Sequence, residues 1–386
     1  MSDLEKVYNA NNLILAFDKC KKNTSWKESV QKYEANLLLN TYNLQQSIKN
    51  GTHKQIPPFE FDLCERGKIR HIKAIHISDR IMQRSLCDNL LLPRLKPYLI
   101  YDNGASLKNK GVGFARERIK AHLQKYYRKY GANGYILLVD FSKYFDNIDH
   151  EKLLKYWRDK MDSEAFAFIK HLIEEFKVDV SYMTDEEYKT CHDKVFNSLE
   201  YEKINKKLKT GDKFMHKSMG IGSQISQLAG VYYPHRLDNY CKIVKGLKFY
   251  ARYMDDVYII HNDKEYLKRL LVELHTITQS IGIFINPKKT RIEKLQRFTY
   301  LKLHYSLLDN GKVIERTTNE TFRRERKRLK KLKLKLDSGK MTYEEIFNSY
   351  KSWRGSVKIY GNYYRLIKID NYFNQIFNKK EQIKNG

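Results

Sequence analysis

Two adjacent aspartates, Asp255 and Asp256, stand between two apolar, strand-forming runs, and this arrangement limits the possible fold more than any other part of the sequence. Residues 249–251 precede the acids and residues 257–260 follow them, which predicts a β-hairpin with both carboxylates at its tip. Neighbouring carboxylates repel each other, so a cation is expected there. Mg²⁺ fits, because it binds a few carboxylates together with phosphate groups. The alternative is a solvated turn, where aspartate is common.

A third acid, Asp140, ends another apolar run. Residues 135–140 read Tyr-Ile-Leu-Leu-Val-Asp, the pattern of a buried strand that carries a carboxylate to the edge of a sheet. If this strand lies beside the hairpin, Asp140 faces Asp255. Two-metal phosphoryl transfer requires carboxylates that hold ions about 3.5–4 Å apart. The sequence therefore predicts a phosphoryl-transfer site at Asp140, Asp255 and Asp256.

The charge balance indicates a polyanionic partner. Among 386 residues, 73 are Lys or Arg and 45 are Asp or Glu, which gives a net charge of +28. A membrane surface would also attract this charge, but the sequence has no amphipathic anchor, no secretory signal at its start and no apolar run of about 18 residues. We therefore expect a soluble, cytoplasmic protein without membrane contact.

The cysteines indicate neither a disulfide framework nor a zinc site. They are scattered and form no Cys-x-x-Cys pair. Cys191-His192 offers at most half of a metal site, because zinc needs further ligands at suitable spacing. Reduced thiols are expected at Cys20, Cys64, Cys87, Cys191 and Cys241.

These motifs resemble those of the reverse transcriptases. Residues 140–146 are similar to the family's motif A and residues 253–256 to its motif C. Residues 219–227 lie between them and resemble motif B in the form Ile-Gly-x-x-x-Ser-Gln, which is found in diversity-generating retroelements and in bacterial defence-associated or unclassified enzymes. Group II intron and retron enzymes usually have Gln-Gly-x-x-x-Ser-Pro. Ile221 thus replaces a Gln that contacts the incoming nucleotide in many relatives.

The resemblance implies a right-hand polymerase of the α+β class, in which helices back an antiparallel palm sheet. Residues 1–130 would form an N-terminal helical region and the fingers, and residues 131–310 the palm. Residues 311–386 would form a helical thumb. A charged insertion near residues 177–217 has no function assigned by the resemblance.

Periodicity predicts several elements independently of the resemblance. Residues 1–50, 151–176 and 265–281 have helical patterns, and residues 59–63 alternate as a half-buried strand. The resemblance to motif B implies a further helix over residues 226–237, behind the motif.

The resemblance also implies the metal and nucleotide sites. Asp140, Phe141, Asp255 and Asp256 would hold Mg²⁺, with Mn²⁺ as a possible substitute, and the three aspartates would be catalytic. Phe145 would be a steric gate that excludes a ribose 2′-hydroxyl; the alternative is a packed core ring. The nucleotide-binding residues would be Lys68, Arg70, Phe141, Phe145, Gly222, Gln227 and Lys289.

Three of the cationic residues proposed to bind the nucleotide have alternative interpretations. Lys68 and Arg70 occupy alternate positions of a predicted strand, so they share one face and suit a triphosphate. A charged, solvated strand face is the other interpretation. Lys289 would protonate the leaving pyrophosphate, although a phosphate contact or a solvated turn explains a lysine there almost as well.

A strongly basic helix is predicted in the thumb. Nine of the thirteen residues 323–335 are Lys or Arg, while Leu329 and Leu332 keep an apolar stripe. A calmodulin-like partner or a lipid surface would fit such a helix, but after a palm it suits a nucleic-acid backbone better. The candidate contacts are Arg323, Arg324, Arg326, Lys327 and Lys330.

Three functions remain open from the sequence. The first is an RNA-directed DNA polymerase that uses dNTPs to copy an RNA template, a noncoding RNA in antiphage defence, into DNA. The second is a diversity-generating retroelement polymerase that makes errors at template adenines. The third is a non-catalytic RNA-binding scaffold. Oligomerisation is possible but no pattern indicates it, and priming on a tyrosine side chain has no motif that points to it.

Overall fold

The computed structural model describes residues 2–65 and 68–377. Within these residues the chain is an α+β protein, as the sequence predicts. The helices are α1 (Asp3–Tyr8), α2 (Ala10–Lys21), α3 (Glu28–Ala35), α4 (Leu37–Lys49), α5 (Ile77–Leu86), α6 (Leu92–Leu95), α7 (Val112–Tyr130), α8 (His150–Trp157), α9 (Ser163–Glu174), α10 (Asp185–Asp193), α11 (Ser198–Glu202), α12 (Gln224–Tyr232), α13 (His235–Asn239), α14 (Lys264–Ser280), α15 (Asn319–Asp337), α16 (Tyr343–Lys358) and α17 (Tyr363–Phe377). The strands are β1 (Phe59–Glu65), β2 (Lys68–Ala74), β3 (Tyr135–Asp140), β4 (Val178–Asp179), β5 (Phe214–Met215), β6 (Tyr250–Tyr253), β7 (Asp256–His261), β8 (Arg291–Lys294), β9 (Phe298–Tyr300), β10 (Leu303–Leu307) and β11 (Val313–Thr317).

A four-stranded sheet, in the order β6-β7-β3-β8, carries the acidic residues. β6 and β7 form the predicted antiparallel hairpin, with Tyr253 opposite Asp256. β3 is the predicted buried strand, and its residues Ile136 and Leu137 are fully shielded from solvent. Because β3 lies next to β7, the end of β3 reaches the hairpin tip, as the sequence predicts.

The described residues form two compact units. One is drawn from Met1–Ala115, Val139–Ile259 and Glu265–Arg291, and the other from Arg116–Leu138, Ile260–Lys264 and Ile292–Gly386. Asp140 and the acidic turn both belong to the first unit, so the acidic site lies within one compact body.

The N-terminal region is helical, as predicted, and leads into the β1-β2 hairpin. The strand predicted at residues 59–63 is present, but the prediction of half-burial is wrong. Phe59 is 73% exposed and Leu63 is 45% exposed. The reason is that β1 and β2 form a separate two-stranded sheet, and two strands alone cannot bury a face.

Two predicted helices are each divided in two. The pattern over residues 151–176 gives α8 and α9, because Asp162 begins a new helix by accepting the Ala165 backbone N–H at 2.9 Å. The helix predicted over residues 226–237 is divided into α12 and α13, separated at Pro234, which has no N–H to continue the helical ladder. The helix predicted at residues 265–281 is confirmed as α14.

The region predicted as the thumb contains a three-helix cluster formed by α15, α16 and α17. Phe322, Leu329 and Leu332 are buried in it, so the apolar stripe of the basic helix packs inward as predicted. Arg354 of α16 pairs with Asp370 of α17 at 2.8 Å. The candidate nucleic-acid contacts on α15 are all exposed: Arg323, Arg324, Arg326, Lys327 and Lys330.

All five cysteines are free thiols in the structure. No helix in residues 2–65 and 68–377 combines the length and the apolar character that crossing a bilayer requires.

Candidate active site

The turn between β6 and β7 presents the two adjacent acids. Tyr253 and Asp256 pair across the hairpin, which leaves Met254 and Asp255 as the turn residues. Met254 has a φ of 54°, in the left-handed region that tight two-residue hairpin turns require. This conformation is uncommon for a residue other than glycine, so neighbouring contacts must hold it.

The end of β3 is bonded to the acidic turn and to a third segment. The Phe141 backbone N–H donates to the carbonyl oxygen of Asp255 at 3.3 Å. On the other side, the Asn286 backbone N–H donates to the Asp140 carbonyl at 2.8 Å, and its side-chain amide lies 3.4 Å from the Asp140 carboxylate. These bonds bring Asp140 beside Asp255 and Asp256 although the acids are far apart in sequence.

Lys289 binds the Asp140 carboxylate directly. Its Nζ lies 2.6 Å from Oδ1 and 2.8 Å from Oδ2, so both oxygens accept from one ammonium group. The Lys289 side chain is 48% exposed, whereas that of Asp140 is 14% exposed. A solvent-accessible cation therefore neutralises part of the acidic cluster.

The pKa of Asp256 is raised by its surroundings in the acidic site. Burial raises its pKa from 3.8 to about 7, and the charges of Asp255 and Asp140 act in the same direction. Lys289 and Arg291 lower the pKa but do not cancel the increase. The raised pKa therefore reflects mainly the burial of the Asp256 carboxyl, with a further contribution from its two acidic neighbours.

This pKa predicts a pH-dependent stability. Asp256 binds its proton more tightly in the folded than in the unfolded chain, so its contribution is full below about pH 3.8 and is lost as pH rises through about 7. In metal-free buffer, we expect the free energy of unfolding of the native protein to fall over this range relative to that of Asp256→Asn. Urea denaturation at a series of pH values measures the difference. Parallel pH profiles for the two proteins would contradict the assignment.

The donor set suits a hard divalent cation. The side chains are carboxylates, which Mg²⁺ prefers. Phe141 has its ring buried against Tyr144, with centroids 5.6 Å apart, so it can contribute main-chain atoms alone. Over residues 2–65 and 68–377, no three His, Cys, Asp or Glu side chains form a ready metal cluster, and Lys289 would have to leave Asp140 for a cation to bind there.

Phe145 lies against α12 on the first turn after Asp140. The β-carbon position of Gly230 is 2.9 Å from Cε1 of the Phe145 ring, closer than a real side chain allows. The hydroxyl of the adjacent Tyr144 donates to the Gly230 carbonyl at 2.6 Å. Gly230 therefore makes room for the ring that the sequence predicts as a steric gate.

The loop before α12 approaches the backbone of β2. Gly222 has a φ of 134°, and a β-carbon there would lie 2.8 Å from the Lys73 carbonyl oxygen. Gln227 is exposed on α12. The side chains of Lys68 and Arg70 lie outside the described residues, although both positions belong to β2.

A buried ion pair that the sequence analysis missed supports the acidic turn. Arg252 and Asp238 are both 0% exposed, and two guanidinium nitrogens bind the carboxylate at 2.7–3.1 Å. Nη1 of Arg252 also donates to the Met254 carbonyl at 3.1 Å, within the turn itself. Burial alone would lower the pKa of Arg252, but the Asp238 carboxylate raises it above its ordinary value. One sequence feature could have revealed this pair: an arginine lies inside an apolar strand, and a buried charge needs a partner.

A sheet with these acids at adjacent strand ends, backed by helices, is that of a right-hand polymerase, a class of nucleotidyltransferases. Within that class, residues 53–305 match the family model for "Reverse transcriptase (RNA-dependent DNA polymerase)". The match covers more than half of the chain, so the chain belongs to the reverse transcriptase family and is an RNA-directed DNA polymerase. RNA template, DNA product and dNTPs follow as its general substrates and products. No curated protein is significantly similar to the chain.

Proposed function

We propose that Asp140, Asp255 and Asp256 form the catalytic site and hold Mg²⁺, with Mn²⁺ as a possible substitute. The observation that supports the proposal is that β3 ends at Asp140 beside the turn that holds Asp255 and Asp256, where the Phe141 N–H donates to the Asp255 carbonyl. Burial and the charges of Asp255 and Asp140 together raise the pKa of Asp256 to about 7. Carboxylate oxygens are the ligands that Mg²⁺ prefers, so this donor set favours a divalent cation. When bound, the metal ions lower the pKa of the primer 3′-hydroxyl and neutralise charge on the departing pyrophosphate.

The protein groups bind and orient the reactants around this site. We infer that Lys68 and Arg70 bind the triphosphate of the incoming nucleotide and that the Phe141 main chain, Gly222 and Gln227 line its pocket. Lys289 contacts Asp140, and we infer that it donates a proton to the leaving pyrophosphate once it releases this carboxylate. Catalysis then depends on positioning and charge stabilisation rather than on a protein nucleophile.

The thumb is proposed to bind the template–product duplex through α15. Its five exposed candidate cations project from a helix whose apolar stripe is buried in the thumb cluster. Contacts to phosphate are independent of base sequence and weaken as salt rises. The proposed limits of the fingers (1–130), palm (131–310) and thumb (311–386) stay predictions, as does a cytoplasmic location.

Phe145 is proposed to exclude the ribose 2′-hydroxyl. We expect Phe145→Val to lower the preference for a dNTP over the matching rNTP by about 10- to 100-fold, the range in which pocket shape rejects one hydroxyl group. Single-nucleotide incorporation gives the ratio of the two kcat/KM values. A ratio equal to that of the native protein would remove Phe145 from this role.

The biological role proposed is prokaryotic antiphage defence with a dedicated noncoding RNA as the template. The alternative is a diversity-generating retroelement enzyme, which Ile221-Gly222 followed by Ser226-Gln227 favours. The two roles differ in their products. Sequencing the RNA bound in cells and the DNA made from it should give one faithful copy of a noncoding RNA in the first case, and substitutions concentrated at template adenines in the second.

Primer extension tests the catalytic proposal itself. Purified protein, an RNA template with an annealed primer, dNTPs and Mg²⁺ should yield extended DNA, and omission of Mg²⁺ should prevent it. A protein that binds the template–primer but extends it in neither Mg²⁺ nor Mn²⁺ would instead be the RNA-binding scaffold.

A further inference from the structure

The charged insertion between motifs A and B folds as a closed module. β4 and β5 pair in antiparallel register at its two ends, with Val178 opposite Met215. Between them, the hydroxyl of Thr184 caps α10 by accepting the Glu187 N–H. The module has its own core, and the buried members are Val178, Val180, Met183, Phe196 and Met215. We call residues 178–215 the insertion module.

The module is bonded to the turn that carries Phe145. The buried Asn147 side chain makes two bonds to the backbone of Phe196: its Nδ2 donates to the carbonyl at 3.1 Å, and its Oδ1 accepts from the N–H at 2.9 Å. The Ser198 hydroxyl donates to Oδ1 of Asp146 at 2.8 Å. We call these four residues, Asp146, Asn147, Phe196 and Ser198, the clamp.

A second attachment lies just beyond the module. Lys217 is buried, and its ammonium group donates to the carbonyl of His192 in the last turn of α10. A lysine at this end of a helix interacts favourably with the carbonyl groups exposed there. Burial lowers the pKa of Lys217, so its hydrogen bond and nearby acids must offset the cost of desolvating the charge.

The chain that leaves the module then runs antiparallel to the segment that follows Asp140. The Met219 N–H donates to the Phe145 carbonyl at 3.0 Å, and the Ser218 N–H donates to the Ile148 carbonyl at 3.2 Å. The backbone of Phe145 is therefore fixed on one side by residues that leave the module. The next two side chains, Asp146 and Asn147, are fixed by the module itself.

The turn needs this support because its first residue is strained. Lys143 has a φ of 43°, in the left-handed region that is unfavourable for a residue other than glycine. The same Asn147 Nδ2 that binds Phe196 also donates to the Lys143 carbonyl at 2.9 Å. One buried amide thus joins the module to the strained residue two positions before Phe145.

We propose that the insertion module is a positioning element for the sugar pocket: through the clamp it sets where the Phe145 ring stands, and so determines how strictly the enzyme selects deoxyribonucleotides. This inference rests on the proposed role of Phe145. Gly230 restricts the position of the Phe145 ring on one side. The clamp restricts movement of the backbone that carries the ring. Weakening the clamp lets the Phe145 ring move away from the sugar pocket, which makes room for a ribose 2′-hydroxyl.

The experiment compares dNTP with rNTP incorporation for three single substitutions in the full-length protein. The readout is the ratio of the two kcat/KM values, which does not change if part of a preparation is unfolded. Ser198→Ala removes one hydrogen bond, and we expect it to lower the ratio by about fivefold, the equivalent of one net hydrogen bond. Asn147→Ala removes more bonds and should lower the ratio further, mainly through a lower KM for the rNTP. Phe145→Val is the third variant.

A matched control perturbs the module away from the clamp. Thr184→Ala removes the cap of α10 and should leave the ratio unchanged. An unchanged ratio in Ser198→Ala and Asn147→Ala, beside a lowered ratio in Phe145→Val, would overturn the inference alone. An unchanged ratio in Phe145→Val would overturn the gate on which the inference rests. A Thr184→Ala ratio as low as that of Ser198→Ala would show that module stability, not the clamp, sets selectivity, and would also contradict the inference.

Discussion

Asp255→Asn is expected to abolish primer extension while leaving the fold intact. The amide has nearly the same shape as the carboxylate but lacks the negative charge that would hold Mg²⁺. Loss of a metal ligand at the reacting phosphate should lower kcat/KM by about 10³-fold or more, because the site acts mainly through charge stabilisation. Burst and steady-state extension on an RNA template, with circular dichroism to monitor folding, measure both properties.

The matched control is Asp263→Asn, which makes the same chemical change at an exposed position just after β7. It should retain native activity. Asp140→Asn should behave like Asp255→Asn. If the doubly substituted Asp140→Asn, Asp255→Asn protein extended primers at the native rate, the proposed catalytic site would be wrong.

Arg252→Met should cause the largest loss of stability of any single substitution considered. It leaves the Asp238 carboxylate fully buried without its cation, which typically costs about 3–5 kcal/mol in the free energy of unfolding. The Tyr250 hydroxyl still donates to Asp238 at 2.6 Å, but one neutral hydrogen bond cannot replace a bidentate guanidinium. Urea denaturation monitored by tryptophan fluorescence measures the loss.

The substitution should also lower activity within the folded fraction, because Arg252 donates to the Met254 carbonyl in the acidic turn. Replacing both partners, as Arg252→Met with Asp238→Leu, should restore much of the stability, since it leaves no unpaired charge. Lys32→Met is the control: it breaks an exposed pair with Glu28 and should leave the free energy of unfolding nearly unchanged. Equal stability of the native protein and Arg252→Met would contradict the importance of the buried pair.

The hairpin, the strand before Asp140 and the inward stripe of α15 could all be predicted from the sequence. In each case the side-chain period matches the element: alternating or continuous apolar residues for strands, and a stripe at helical spacing for α15. The points at which α9 and α13 begin were harder to predict from the sequence. Asp162 and Pro234 mark the breaks, but an apolar pattern that continues across them hides both signals.

Burial of β1 could not be predicted, because alternation shows that a strand has two faces and not whether anything covers one of them. The pairs Arg252 with Asp238 and Asn147 with Phe196 were equally hidden. Asn147 and Phe196 are 49 residues apart in the sequence, and Arg252 and Asp238 belong to different elements, β6 and α13. Apart from the arginine inside a strand, none of these residues has an unusual local context.

The family, the three acids and the secondary structure around them could be predicted from the sequence, because these features follow from local composition and spacing. Three further features became visible only in the folded chain: the contact of Lys289 with Asp140, the pKa of about 7 for Asp256, and the bonds of the insertion module to the turn that carries Phe145. Electrostatic and hydrogen-bond energies depend on distances through space, and only the folded chain sets those distances.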